Sequence, residues 1–422
     1  MKLKNVETFL TPHVMQVGSF ESQSGEQVTV FFRSIDRIEA PQLTDHFFIV
    51  GVIASYLRGE SYTHPEPISE VLYNNIITVM QKWSLWWRYP AIKVTVETFA
   101  DTTEPAKKPH RGCLMTAGVD SLFTARTLQD EIDAFVNVAH CRFDAAKTDA
   151  AKMSNNSIAA FSQEQGKELF QVETNVMSAF SQIEDAWSSI SHGPCYAAIG
   201  HFLGGNISEL MISASFSNDQ MRPWGSHPEI DRLYSSNAFR FRHVGVGFNR
   251  FQKHREIASD QSCLRYLSVC ENGPQEGEHI NCSKCQKCLR SMITLDLLDI
   301  ERLQAPTFNW DGYHPENLKK FLLQGHVNTS ELLAYAEEIG RMDIAAILKD
   351  VIDYADKYYW LVRAELFLRR RMNGWLRFKP FLKRLRAIAY RLFGVRQRHQ
   401  TSTARAPQND TSTSLKTEPR RD

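Results

Sequence analysis

"CLMTAGVDSLFTARTLQD", Cys113–Asp130, is the stretch that decides the fold. An apolar run, Cys113–Met115, breaks at Thr116, Ala117 and Gly118, and a helical pattern opens at Ser121 and runs to Asp130. The pattern reads as a strand, a tight turn and a helix. Small residues in such a turn let backbone N–H groups approach an anion closely, and the helix start adds unsatisfied donors and the positive end of its dipole. Thr116 and Ser121 add hydroxyl donors. Asp120 would repel a bare phosphate, so it points to a metal-bound one, with Mg²⁺ bridging the phosphates. The plain alternative is a turn in which Asp120 or Ser121 only caps the helix. The glycine spacing is neither the dinucleotide fingerprint nor the Walker P-loop, and no Lys follows.

Working outward, the same texture repeats downstream. "AFVNVAH", "ELFQVETN", "ELMISAS" and "FRFRHVGVG" are short apolar runs, the first two each followed by a helical pattern. Strands alternating with helices predict an α/β fold: a Rossmann-like parallel sheet with flanking helices, and ligands beyond the carboxyl ends of its strands. Upstream, residues 1–108 read as an α+β extension. "VTVFFRSI" (28–35) and "IKVTVETF" (92–99) alternate as strands, and the two segments between them, 45–59 and 67–87, read as helices, with Ser69 as N-cap of the second. The Pro-rich "ADTTEPAKKPHRG" (100–112) reads as a linker. Residues 109–298 then form the α/β domain, 299–367 a helical region, and 368–422 a basic amphipathic segment with a polar tail.

A second constellation lies in "SVCENGPQEGEHINCSKCQKCLRS", 268–291. Cys282, Cys285 and Cys288 are spaced C-x₂-C-x₂-C, and eleven residues separate Cys270 from Cys282. Tetrahedral Zn²⁺ needs four converging ligands, which short C-x₂-C turns deliver. His279 and Cys263 compete with Cys270 as the fourth ligand, and an iron–sulfur cluster fits the same spacing. Lys284, Lys287 and Arg290 would offset the negative charge of the thiolates.

Thr116-Ala117-Gly118-Val119-Asp120-Ser121 resembles the Ser-Gly-Gly-x-Asp-Ser signature of the PP-loop ATP pyrophosphatases. With the downstream cysteines, residues 110–298 resemble 7-cyano-7-deazaguanine synthase and its relatives; "PWGSHP" (223–228) and the N-terminal extension resemble a related branch. The resemblance implies a HUP-type fold, ATP and Mg²⁺ as cofactors, and a structural Zn²⁺. It also implies cleavage of ATP to AMP and pyrophosphate. A carboxylate or amide oxygen of a small molecule becomes an adenylate, and a nitrogen nucleophile then displaces AMP. Thr116, Ala117, Gly118 and Ser121 would cradle the phosphates and Asp120 would hold the metal. Ala117 stands where the signature has glycine, so the loop must keep φ negative there or carry strain.

Other residues fall where strand ends should meet a ligand: His140 and Asp144 after the second strand, Asn175 after the third, and His192 with Gly193 at a helix start that could form a second anion nest. In the loop after the fourth strand, Ser213, Ser215, Trp224, Ser226 and His227 are available to a substrate, although His227 reads better as a cap or packing residue. A tRNA-modifying ligase or thiolase is the alternative enzyme, which would need a reactive thiol at Cys113, Cys141 or Cys195. A nucleotide-binding scaffold without turnover is the alternative from another class.

The chain has 422 residues and a net charge of +1, unevenly spread. Residues 368–400 carry eleven Lys or Arg and no acid, interspersed with Leu, Phe, Trp and Tyr, a pattern suited to an anionic membrane surface or RNA. No apolar run approaches a transmembrane span, and no secretion signal opens the chain. A cytoplasmic protein, peripheral to the inner face of the membrane through this segment, is the expectation, with a weak one for a homo-oligomer.

Overall fold

The computed structural model describes residues 1–100, 110–139, 148–179, 186–270, 272, 279–321, 327–357 and 384. The 101–109 part of the expected linker, His140, Asp144, Cys141 and nearly all of the basic segment lie outside them.

Among the described residues ten strands form one sheet: β1 (Lys2–Phe9), β2 (Met15–Glu21), β3 (Gln27–Ser34), β4 (Tyr62–His64), β5 (Val94–Val96), β6 (His110–Leu114), β7 (Ala134–Val138), β8 (Glu168–Thr174), β9 (Ile207–Ser213) and β10 (Arg240–Val244). Their order is β10-β9-β6-β7-β8-β3-β2-β1-β4-β5. The first five in that order are mutually parallel, as the alternating texture of the sequence predicts. From β6 the chain steps to β7 and β8 on one side, then returns to place β9 and β10 on the other. The direction of winding therefore reverses between β6 and β9, and the strand ends diverge there to leave a crevice.

The N-terminal extension continues this sheet. β3 runs antiparallel to β8, pairing Phe32 with Thr174 and Ser34 with Val172, and Arg33 bonds Glu173 across the seam. β1 and β2 complete an antiparallel meander. The expected strand 92–99 shortens to Val94–Val96 at the sheet edge. Both expected helices form, Asp45–Arg58 and Glu70–Trp87, the second capped by the Ser69 hydroxyl accepting from Leu72 N at 3.3 Å. Gly51 is required within the first helix, because a Cβ there would sit 2.1 Å from the Tyr62 ring.

Burial crosses the expected 108/109 boundary. Phe32, Phe47 and Phe48 from the extension share one apolar core with Ala197, Phe202 and Leu210. The helix Asp45–Arg58 packs on the helix His192–Phe202. A second core lies beneath the turn that follows β6, and a third joins Leu289, Ile293 and Leu297 to Leu332 and Leu348 of the C-terminal helices Val327–Glu338 and Met342–Lys357. Among the described residues no helix is long and apolar enough to cross a membrane.

Candidate functional site: a cationic pocket beside a four-cysteine cluster

The turn after β6 does what its sequence predicts. Gly118 occupies the N-cap of the helix Val119–Thr127 with extended backbone, and having no side chain it leaves the first-turn N–H groups uncapped. Thr116 N donates to Ser121 Oγ at 3.3 Å, and that hydroxyl donates to Gly118 O at 3.1 Å, so the two hydroxyl residues brace the turn. Ala117 takes φ +52°, the left-handed region, and is locked there by Ser268 N donating to its carbonyl at 2.7 Å. The expected strain is present.

This turn opens into a pocket of about 380 Å³ at the crevice between β6 and β9. Two helices that nothing near the turn in sequence connects to the site supply its charge. The helix Arg250–Ala258, started by a capping box of Asn249 and Gln252, sets Arg250, Lys253 and His254 on one face. The helix Gln286–Leu297 sets Lys287, Arg290, Ser291 and Thr294 on one face, and all four line the pocket with Arg250 and His254. Both stripes follow i, i+3, i+4 spacing, which is the sequence signal that could find them. His254 ties the helices together. Its Nδ1–H donates to Arg250 O at 2.9 Å, so Nε2 accepts from the Ser291 hydroxyl at 3.1 Å. Burial pushes this imidazole down to about 4, leaving it neutral near pH 7.

Asp120 corrects an expectation. Its carboxylate receives Lys253 Nζ at 3.1 Å on one oxygen and Arg250 at 3.0 Å on the other. Lys253, with a side chain only 2 % exposed, also donates to Ala214 O at 2.6 Å. Burial lowers its pKa, and the Asp120 charge opposes that shift. A carboxylate held by two cations does not fit the expected Mg²⁺ ligand; it fits an anchor that aims Arg250 and Lys253 at the turn.

Two further expectations are overturned. Asn175 fastens the seam between β3 and β8, its side chain accepting from Phe31 N and donating to Thr29 O, both at 2.9 Å, and it does not line the pocket. The helix His192–Phe202 continues directly from a π-helical turn, Trp187–Ser191, so no free helix start exists at Gly193. Gly193 N instead donates to Gly225 O at 3.1 Å. The second anion nest is therefore absent, though His192 itself lines the pocket. His227 caps the helix Pro228–Asp231 and packs on Trp86, as its sequence context favours. Cys113 and Cys195 are fully buried; burial pushes the Cys113 thiol up to about 12 and the Cys195 thiol higher still, which does not suit a reactive thiolate.

The cysteines converge. Sγ atoms of Cys270, Cys282, Cys285 and Cys288 all lie within 4.8 Å of one another, with Cys282–Cys288 at 3.8 Å, Cys285–Cys270 at 3.8 Å and Cys285–Cys288 at 3.5 Å. Four sulfurs at about 2.3 Å from one Zn²⁺ make a tetrahedron with edges of about 3.8 Å. The spacing fits a single ion and leaves no room for an iron–sulfur core between the thiolates. Asn272 N donates to Cys270 Sγ at 3.2 Å. His279 is turned away to Pro306 O, and Cys263 stands outside the cluster, so Cys270 is its fourth member. Cys285 is the N-cap of the helix Gln286–Leu297 and Cys288 lies in its first turn, so a metal here pins the helix that carries Lys287 and Arg290. No protein-family model matches the chain, and neither does any curated protein or solved structure.

Proposed function

We propose that the protein binds ATP in the cationic pocket and transfers its adenylyl group to an oxygen of a small-molecule carboxylate or amide, releasing pyrophosphate, for later attack by nitrogen. The observation that carries this reading is the convergence of an uncapped helix start with Arg250, Lys287 and Arg290 at the reversal point of a parallel sheet. A polyphosphate is the ligand such a site neutralises. The pocket also reaches Val136, Val138 and Ile212, an apolar patch suited to a base, and its volume falls in the range of small-ligand sites. The resemblance of Thr116–Ser121 and of the cysteine pattern to the PP-loop pyrophosphatases favours adenylation over other nucleotide chemistry. A HUP-type, Rossmann-like classification belongs to the same proposal, and the strand order β8-β7-β6-β9-β10 is consistent with it. In this mechanism Arg250, Lys287 and Arg290 balance charge on the phosphates, the first-turn N–H groups orient them, and the chain supplies positioning rather than a covalent nucleophile. The four thiolates would hold Zn²⁺ as a structural ion at the base of the arginine-bearing helix.

Calorimetric titration with ATP tests it. Wild type binds, and Arg290→Ala weakens binding about tenfold, the loss of one charge-assisted contact of about 1.4 kcal/mol. Absence of binding by folded, metal-loaded wild type rejects the reading. A second reading, a nucleotide-binding scaffold, is favoured by one observation: both oxygens of Asp120 are already committed to cations. ATP binding without AMP release from pools of small carboxylates and amides would select it.

A further inference from the structure

The cations come from helices packed on the second and third cores, whereas another wall of the pocket comes from elements of the first. There His192, Tyr196 and Ser226 face the cavity. Two glycines bring His192 and Ser226 together. Gly193 N donates to Gly225 O and Gly225 N donates to Ser188 O, both at 3.1 Å. A Cβ on Gly193 would lie 2.3 Å from Gly225 O, and one on Gly225 would lie 2.5 Å from His192 Nδ1. The loop 223–228 is therefore stitched to the helix with no space between.

Each of the two side chains has spent its proton. A backbone carbonyl can only accept, so His192 Nδ1–H donates to Trp187 O at 3.0 Å. The ring's lone pair then falls to Nε2, and His192 lines the pocket. Ser226 donates its hydroxyl proton to Asp231 Oδ2 at 2.6 Å and stands 3.3 Å from His243 Nδ1, so a remaining lone pair is what it can offer a ligand. Behind it, Asp231 is fully buried, takes His243 Nδ1–H at 2.6 Å and receives His227 N at 3.2 Å. His243 Nε2 is itself buried without a hydrogen-bond partner.

We propose that this wall is the seat of an amino group: a primary amine, held by His192 Nε2 and Ser226 Oγ with the Asp231 carboxylate behind. The chemistry selects it by elimination. A carboxylate or phosphate brings no donor to two acceptors, a hydroxyl brings one and a primary amide brings two without charge, whereas an ammonium brings three and a positive charge. The buried carboxylate favours the cationic form and opposes an anion. The pocket then has two unlike ends, one built for phosphates and one for an amine, whose nitrogen can attack once His192 Nε2 has taken a proton from the ammonium, and this assignment rests on the nucleotide reading of the first.

Three probes of equal length test it: AMP carrying a short alkyl chain on its phosphate, ending in a primary amine, a methyl group or a carboxylate. Calorimetry gives the affinity of each relative to AMP for wild type, Ser226→Ala and His192→Phe, with circular dichroism melts confirming that each variant is folded. The amine-tipped probe is expected to bind wild type at least about tenfold tighter than the methyl-tipped one, a preference reduced to near parity in both variants. If all three probes bind wild type alike, or the carboxylate-tipped one binds best, the amine seat is wrong while the nucleotide site stands. If neither AMP nor any probe binds, the nucleotide reading has failed and the amine seat falls with it.

Discussion

Ala117 is held at φ +52° with its methyl group buried, in a turn whose carbonyl is claimed by Ser268. A left-handed residue with a Cβ costs about 1–2 kcal/mol, which glycine avoids, but glycine also gives up a buried methyl worth about 0.8 kcal/mol. Ala117→Gly should therefore unfold in urea within about 1 kcal/mol of wild type. Ala117→Val meets both the left-handed penalty of a β-branched residue and overpacking, and should lose at least about 3 kcal/mol. Equal stability of the two variants would mean that the turn is not left-handed in solution. At this scale the turn is legible because small residues, a hydroxyl pair and a helix start are local features. Lys253 and Arg250 are not, because nothing near Asp120 in sequence announces partners more than a hundred residues downstream.

The helix Gln286–Leu297 serves two sites at once. Its start carries two of the four clustered cysteines, one face presents Lys287, Arg290 and Ser291 to the pocket, and its far side packs Leu289, Ile293 and Leu297 into the C-terminal core. The cysteine cluster and the cations of the pocket are consequently one mechanical unit. The purified protein should carry about one equivalent of zinc by elemental analysis. Cys285→Ser should lower that content and weaken ATP binding about tenfold, although Cys285 itself does not line the pocket. Unchanged ATP affinity in a zinc-free, folded variant would separate the two sites. Cysteine spacing alone makes the cluster readable, and it leaves the fourth member open because His279 and Cys263 lie on either side of Cys270 in sequence. β1 is not legible in that way, because "KLKNVETF" buries almost nothing and shows no apolar alternation. Nor is β2, its half-buried pattern interrupted by a glycine and a serine.

Over the whole molecule, several histidines are folded into places that exclude their protons. Burial pushes His64 down to about 3 and His254 to about 4, and holds His46, which has no hydrogen-bond partner at either ring nitrogen, well below its usual range. The unfolded chain takes up these protons as pH falls through about 6.5 while the native protein does not, so stability declines in that direction and is flat above neutrality. Each of the three should cost about 1.4 kcal/mol between pH 7.5 and 5.5, about 4 kcal/mol together, measurable as a falling urea midpoint. A midpoint that does not move would place these rings in contact with water. The parallel half of the sheet is legible from its alternating runs. Its fusion to the extension is not, because the seam between β3 and β8 joins segments about 140 residues apart and is spelled out only by the partners of Asn175 and Arg33. That seam has a consequence during synthesis. β3, "QVTVFFRS", leaves the ribosome with one edge unmet, and its partner follows after roughly ten seconds of elongation. Through that interval Phe31 and Phe32 sit on an open strand edge of the kind that recruits other chains. The nascent protein is thus most exposed to self-association, and most in need of a chaperone, while the parallel half of its sheet is still incomplete.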